Sequence, residues 1–173
     1  LRLRRPVADD HASWAHMREQ SFEFLQPWEP KWAWNELAKS SFRNRLRQQE
    51  ADINSGRGMH WFLTDKSAPG TVLGGIALTN IRRGVAQMGT LGYWVGEPLA
   101  GKGMMAEAVN AICHCAFVDL DLHRVEAATV LDNERSQRLL IRCGFVKEGV
   151  ARDYLQINGA WRDHILFARL QTV

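Results

Sequence analysis

The spacing of apolar residues changes twice along the chain, and each change predicts a different secondary structure. Phe42, Leu46 and Ile53 recur at helical spacing, whereas the stretch from 60 to 95 alternates and is interrupted by turns. Helical spacing returns after the glycines near residue 101. Helices are predicted at about 10–22 (capped by Asp9 or Asp10), 35–54, 104–118 and 133–143. Strands are predicted at 1–7, 60–65, 71–81, 86–95 and 123–130, with two more flanking 157–160.

This order of elements predicts one α/β (α+β) domain over residues 1–173. We expect a mixed, mostly antiparallel central sheet of about six to seven strands, flanked by about four helices. Asn158-Gly159 is a strong hairpin signal between the last two strands. Gly144 is expected to end the preceding helix in a left-handed conformation, with Phe145 folding back on Leu140. Residues 24–34, which contain two prolines, are predicted to be an irregular loop.

Composition and charge restrict the kind of protein. The chain has 22 Lys and Arg against 19 Asp and Glu, a formal charge of +3, without a long basic run. We therefore expect no nucleic-acid partner. No stretch reaches the roughly 20 apolar residues of a membrane helix, and the first residues do not resemble a secretory signal. The three cysteines include no Cys-x-x-Cys pair, and the six histidines are scattered. We expect reduced, buried thiols, no metal and a cytoplasmic location.

Gly101-Lys102-Gly103, directly before a predicted helix, is a candidate anion site. The first amides of a helix lack partners and carry the positive end of its dipole, and glycines let an anion approach them. Lys102 adds a positive charge. The pattern is neither a P-loop nor GxGxxG, so an ordinary loop-to-helix junction is the alternative.

A second candidate lies after the next strand, at Asn133 and Ser136. Asn133 is predicted to cap the short helix, and Ser136 falls one turn later. If both helix starts lie at one edge of the sheet, Ser136 faces the same crevice as the glycine loop.

These segments resemble the Gcn5-related N-acetyltransferases. The fold motifs are Tyr93-Trp94-Val95, Gly101-Lys102-Gly103-Met104-Met105, Asn133-x-x-Ser136 and Cys143-Gly144-Phe145. Phe24-Leu25-x-Pro27-Trp28-Glu29-Pro30 and Gly159-x-Trp161-Arg162-Asp163 are similar to the ribosomal-protein N-terminal alanine acetyltransferases. Pro98 departs from the Gln or Arg that the family often has there.

The resemblance implies acetyl-CoA as cofactor and assigns residues to it. The backbone of Tyr93, Trp94 and Val95 would pair with the pantetheine arm. Gly101, Lys102, Gly103, Met104 and Met105 would hold the diphosphate. Asn133 would contact the arm, and Ser136 would stand near the sulfur and donate a proton to the leaving thiolate.

The implied reaction transfers acetyl to the N-terminal α-amine of a protein or peptide, a ribosomal protein among the candidates. An α-amine has a pKa of about 7.7–8.0 against about 10.4 for lysine, so it needs only a modest base. Glu126 and Asp153 are the candidate bases. Trp28, Glu29 and Tyr154 are the predicted acceptor-binding residues, and the enzyme is expected to be a monomer or homodimer. A small-molecule amine acetyltransferase and a non-catalytic acetyl-CoA-binding module are the alternatives.

Overall fold

One seven-stranded sheet runs through the protein, of which the computed structural model describes residues 1–171. The strands are β1 Arg2–Arg4, β2 Met59–Thr64, β3 Val72–Arg82, β4 Met88–Val95, β5 Arg124–Val130, β6 Val146–Ile157 and β7 Ala160–Leu170. They lie in the order β1-β2-β3-β4-β5-β7-β6. Within residues 1–171, only β4 and β5 are parallel neighbours. The predicted mixed, mostly antiparallel sheet is confirmed; residues 172–173 of the predicted domain lie outside the described residues.

The described part of the chain forms five α-helices beside the sheet, where about four were predicted. They are α1 His11–Gln20, α2 Phe22–Leu25, α3 Lys39–Asn54, α4 Met104–His114 and α5 Glu134–Arg142. The additional helix, α2, lies where an irregular loop was predicted and continues into a 3₁₀ turn at Gln26–Trp28. Pro27 fits the first turn of that 3₁₀ helix, since its missing N–H has no intrahelical acceptor there.

Two other helix boundaries differ from the prediction. α3 begins at Lys39 and not at residue 35, because Ala38 is extended (φ −65°, ψ 147°). α4 ends at His114, and the chain continues as a π-helical turn over Cys115–Asp119. Neither difference moves the start of α4, which carries the glycine loop.

The sheet carries a hydrophobic core on each face. α4 and α5 cover one face, where Ile112, Val125, Leu140 and Phe167 are at most 3% exposed. The opposite face packs Phe62 and Val72 against Trp14 of α1 and Phe42 of α3. Neighbouring strand residues point to opposite faces, so a strand buried on both sides is apolar at consecutive positions.

The end of α5 has the predicted geometry. Gly144 is left-handed (φ +79°), and its N–H donates to the Ile141 carbonyl at 3.0 Å. The N–H of Phe145 donates to the Leu140 carbonyl, also at 3.0 Å. This pair of bonds is the Schellman motif, and it turns the chain directly from α5 into β6.

All three cysteines are free. Cys113 and Cys143 are buried as predicted, whereas Cys115, in the π-helical turn, is half-buried. Burial raises the pKa of the Cys113 thiol to about 11. A thiol with this pKa is almost fully protonated at neutral pH and is therefore a poor nucleophile.

Candidate active site

The sheet opens between β4 and β5. The parallel ladder joins Met88–Thr90 to Arg124–Glu126, and among the described residues no pairing continues beyond it. β4 nevertheless runs to Val95 and β5 to Val130. Because β3 pairs with only one edge of β4, the other edge keeps backbone N–H and C=O groups toward the opening. The carboxyl ends of two parallel strands thus border a wedge with free hydrogen-bonding groups.

The glycine loop lies after β4 and starts α4. Gly101 and Gly103 have φ of +78° and +80°, and a Cβ built on either would meet no atom within 4 Å. Gly103 is the N-cap and makes no side-chain capping bond. The first helical bond runs from the Glu107 N–H to the Gly103 carbonyl at 3.2 Å. The amides of Met104 and Met105 therefore precede the first intrahelical donor and are available to an anion.

The start of α5 brings three predicted residues together. Asn133 caps the helix, since its Oδ1 accepts from the Ser136 N–H at 3.1 Å. The Ser136 hydroxyl lies 2.6 Å from the hydroxyl of Tyr93 on β4. This contact spans the opening between β4 and the helix that follows β5. Burial raises the pKa of Tyr93 to about 12, so the phenol is neutral at physiological pH.

Trp94 and Val95 point to opposite faces of the sheet. Val95 packs with Tyr93 on the face that carries α4 and α5. Trp94 packs against the opposite core, close enough to β3 that a Cβ on Gly75 would lie 2.4 Å from its Nε1. The strand predicted to present its backbone to a ligand is thus held by side chains in both cores.

A buried arginine joins the predicted acceptor side to β4. Arg18 of α1 is 6% exposed, and its two Nη atoms donate to the carboxylate of Glu29 at 2.9 and 2.6 Å. Its guanidinium lies 4.4 Å from the Trp32 ring centroid and 5.0 Å from that of Trp94. Glu29, a predicted acceptor-binding residue, therefore already forms an ion pair with Arg18.

The final hairpin touches the segment that carries Trp28 and Glu29. The Asn158 N–H donates to the Glu29 carbonyl at 2.8 Å. A groove of about 640 Å³ lies beside this contact. Its lining includes Phe22, Lys31, Trp32, Trp34 and Asn158. Trp28 and Tyr154 are not among its lining residues.

A model of the acetyltransferase (GNAT) domain matches residues 1–146. The chain belongs to the GNAT acetyltransferase family. The sequence-based prediction of this family is confirmed.

Several relatives within the GNAT family cover almost the whole chain. The chain is 34% identical to the ribosomal protein uS5-alanine N-acetyltransferase of Escherichia coli, over 94% of this chain and 84% of that protein. The ribosomal-protein-S5-alanine acetyltransferase of Vibrio fischeri has 33% identity and a TM-score of 0.89, covering 97% of this chain and 91% of that one. Mycobacterium smegmatis RimJ, solved in complex with CoA-disulfide, has 30% identity and a TM-score of 0.91 over 97% and 80%.

The two candidate bases of this GNAT chain lie in different surroundings. Glu126 is on β5, opposite Thr90, at the point where the ladder ends. Its carboxylate accepts from Arg124 Nε at 2.9 Å, and Arg124 also pairs with Glu148. Glu126 is therefore at the opening but already holds a counter-ion.

Asp153 and Tyr154 lie on the outer strand β6, which β7 separates from β5. Asp153 is exposed, left-handed (φ +44°) and part of an irregularity in the pairing with β7. Tyr154 packs edge-on against His164 with ring centroids 5.6 Å apart. Neither residue makes a hydrogen bond to Tyr93 or Ser136.

Sequence reasoning missed two residues of this region. Tyr93 was assigned a backbone role only, and its hydroxyl contact with Ser136 joins positions 43 residues apart. Arg18 was not singled out, because an arginine in an amphipathic helix is usually a solvated residue. No local pattern marks either contact; only strand-to-helix packing does.

None of the helices described in residues 1–171 is long and apolar enough to cross a membrane. Over the same residues there is no group of three or more His, Cys, Asp or Glu side chains suited to hold a metal ion.

Proposed function

We propose that this chain is an acetyl-CoA-dependent N-acetyltransferase acting on the N-terminal α-amine of a protein or peptide, with a cytoplasmic ribosomal protein as the candidate acceptor. The opening between β4 and β5 carries the proposal. It has helix-start amides at one side and the Tyr93–Ser136 hydroxyl pair at the other. The 34% identity to a uS5-alanine acetyltransferase supports the acceptor class.

The residues at the start of α4 fit a diphosphate. Gly101 and Gly103 leave open space where other residues have a Cβ, and Lys102 is exposed beside them. The amides of Met104 and Met105 add donors at the positive end of the helix. Acetyl-CoA, when bound, supplies an acetyl group activated as a thioester. The complex of the Mycobacterium smegmatis neighbour with CoA-disulfide supports this choice of ligand.

The chain's own groups then have distinct tasks. The free edge of β4 from Tyr93 to Val95 binds the arm and aligns it along the opening. Asn133 orders the start of α5, and Ser136 donates its hydroxyl proton to sulfur as the C–S bond breaks. The acceptor nitrogen forms the C–N bond and releases one proton to water, and that proton restores Ser136.

The groove beside Asn158 favours a peptide over a polycation. The acidic residues that line it are Glu19 and Glu36, and Glu36 already pairs with Arg45. Lys31 adds a positive charge to the same lining. A polyamine needs a cluster of free carboxylates, whereas a peptide is bound by aromatic rings such as Trp32 and Trp34 and by backbone groups.

The test is CoA release with mass spectrometry of the products. The acceptors are peptides that start with Ala, Ser, Thr or Met, the same peptides blocked at the N-terminus, spermidine and an aminoglycoside. We expect acetylation of free Ala or Ser peptides and none of blocked ones.

Each other outcome rejects a defined part of the proposal. Reaction of the small amines alone would reject the acceptor class but not the acetyltransferase activity. Cofactor binding without any acetylated product would reject catalysis and favour a sensor of acetyl-CoA.

A further inference from the structure

We propose that Tyr93 is a positioning residue for proton donation: its hydroxyl donates to Ser136 Oγ and turns the Ser136 proton toward the β4–β5 opening. The inference rests on the proposed function, in which Ser136 protonates the leaving sulfur. Tyr93 acts through Ser136 and transfers no proton to the sulfur itself.

The contact is fixed from both ends. Tyr93 extends from a strand that pairs with β3 along its length, and its ring packs in the core under α4 and α5. Ser136 is in the first turn of α5, where the Asn133 cap holds its backbone N–H. With both backbones fixed, the 2.6 Å separation of the two hydroxyls leaves Ser136 little freedom of rotamer.

The chemistry of the two hydroxyls sets the direction of the bond. A phenol is a stronger acid than an alkyl hydroxyl and is the better donor. Among the described residues, Ser136 is the partner of the Tyr93 hydroxyl. Each hydroxyl has one proton to donate, so a serine that accepts from tyrosine keeps its proton for a third group. A hydroxyl that accepts one hydrogen bond also donates the next one more strongly.

Removal of the Tyr93 hydroxyl isolates this effect. Tyr93→Phe keeps the ring that packs in the core and deletes only the donor. Ser136 could then turn among its staggered rotamers, and its proton would point toward the sulfur in only a fraction of encounters. General acids contribute about 10²- to 10⁴-fold to rates, so we expect loss of orientation to lower kcat about tenfold.

The experiment compares steady-state constants of the wild type, Tyr93→Phe, Ser136→Ala and the double variant, with an Ala-peptide and acetyl-CoA as substrates. We expect Tyr93→Phe to lower kcat about tenfold and to leave both KM values within about twofold of the wild type. The substitution removes the orientation of the Ser136 proton but no contact that binds a substrate. The double variant should match Ser136→Ala. Thr64→Val is the matched control, because it removes another buried hydroxyl, on β2, and should leave kcat unchanged.

Three outcomes separate the two proposals. Wild-type turnover in Ser136→Ala rejects the proton donor of the proposed function. A loss in Ser136→Ala with wild-type turnover in Tyr93→Phe rejects the positioning role alone. Independent, multiplying losses in the double variant also reject it, because Tyr93 would then act without Ser136.

A spectroscopic measurement needs no change at Tyr93. The chain has two tyrosines, so Tyr154→Phe leaves Tyr93 as the single source of the tyrosine doublet in the Raman spectrum. The intensity ratio of the two bands of this doublet depends on whether the phenol donates or accepts a hydrogen bond. We expect the ratio that is typical of a donor, and we expect it to change when Ser136→Ala is added. A ratio typical of an acceptor would overturn the proposal.

Discussion

Glu29→Gln should destabilise the protein far more than the loss of an ordinary surface charge. Glu29 accepts both Nη bonds of Arg18, and the side chains are 19% and 7% exposed, respectively. Arg18 Nε finds no acceptor within residues 1–171, so Glu29 supplies the counter-charge of this guanidinium. Glutamine is neutral and offers a single acceptor oxygen, and it leaves a buried cation without its counter-ion.

The magnitude follows from that burial. Removal of one partner of a buried ion pair costs about 3–5 kcal/mol, and the oxygen that glutamine retains favours the lower end, about 3 kcal/mol. For a domain of this size, 1 kcal/mol corresponds to about 2–4 °C in Tm, so we expect a decrease of about 6–12 °C. Adding Arg18→Met removes the uncompensated cation and places a thioether among the tryptophan rings. The double variant should therefore melt above Glu29→Gln.

Thermal unfolding followed by circular dichroism measures both effects. Glu134→Gln is the matched control, since its pair with Arg138 is 76% and 68% exposed. Pairs of that kind contribute at most about 1 kcal/mol. A Glu29→Gln variant that melts within about 2 °C of the wild type would refute the assignment of a buried, mutually dependent pair. A double variant that is less stable than Glu29→Gln would refute it as well.

Two further predictions concern the glycine loop and Tyr93. Gly103→Ala and Gly84→Ala both place a Cβ at positive φ (+80° and +66°) in open space, so each should lose about 1–2 kcal/mol in urea unfolding. Only Gly103→Ala should raise the KM for acetyl-CoA; equal KM values in both would contradict the proposed diphosphate site. The pKa of Tyr93 is about 12 when folded, against about 10 when unfolded. Preference of the folded state for the neutral phenol therefore contributes about 3 kcal/mol to the free energy of unfolding. This contribution is fully present below about pH 10 and is lost as pH rises toward about 12. Urea unfolding between about pH 8 and pH 11 should show a steeper decline for the wild type than for Tyr93→Phe, and parallel declines would contradict this.

Local chemistry made most of the secondary structure predictable from the sequence. All seven strands appear close to their predicted positions, because period-2 alternation and the turn at Asn158-Gly159 act over a few residues. The Schellman end of α5 was predicted for the same reason: glycine adopts the required positive φ without the steric cost of a Cβ, and Gly144 stands where the helix ends. The start of α3 was not predicted correctly, because the extended conformation of Ala38 depends on how residues 33–38 pack and turn.

The candidate site likewise combines features that depend on neighbouring residues with features that depend on the tertiary fold. The sequence by itself determined the open amides of the glycine loop and the Asn133 cap, since both depend on residues no more than a few positions apart. Only the tertiary structure decided that β4 and β5 separate after Thr90 and Glu126, that Tyr93 reaches Ser136, and that Arg18 occupies the carboxylate of Glu29. Those contacts join distant positions through strand order and helix packing, and side-chain pairs at long separation leave no periodicity in the sequence.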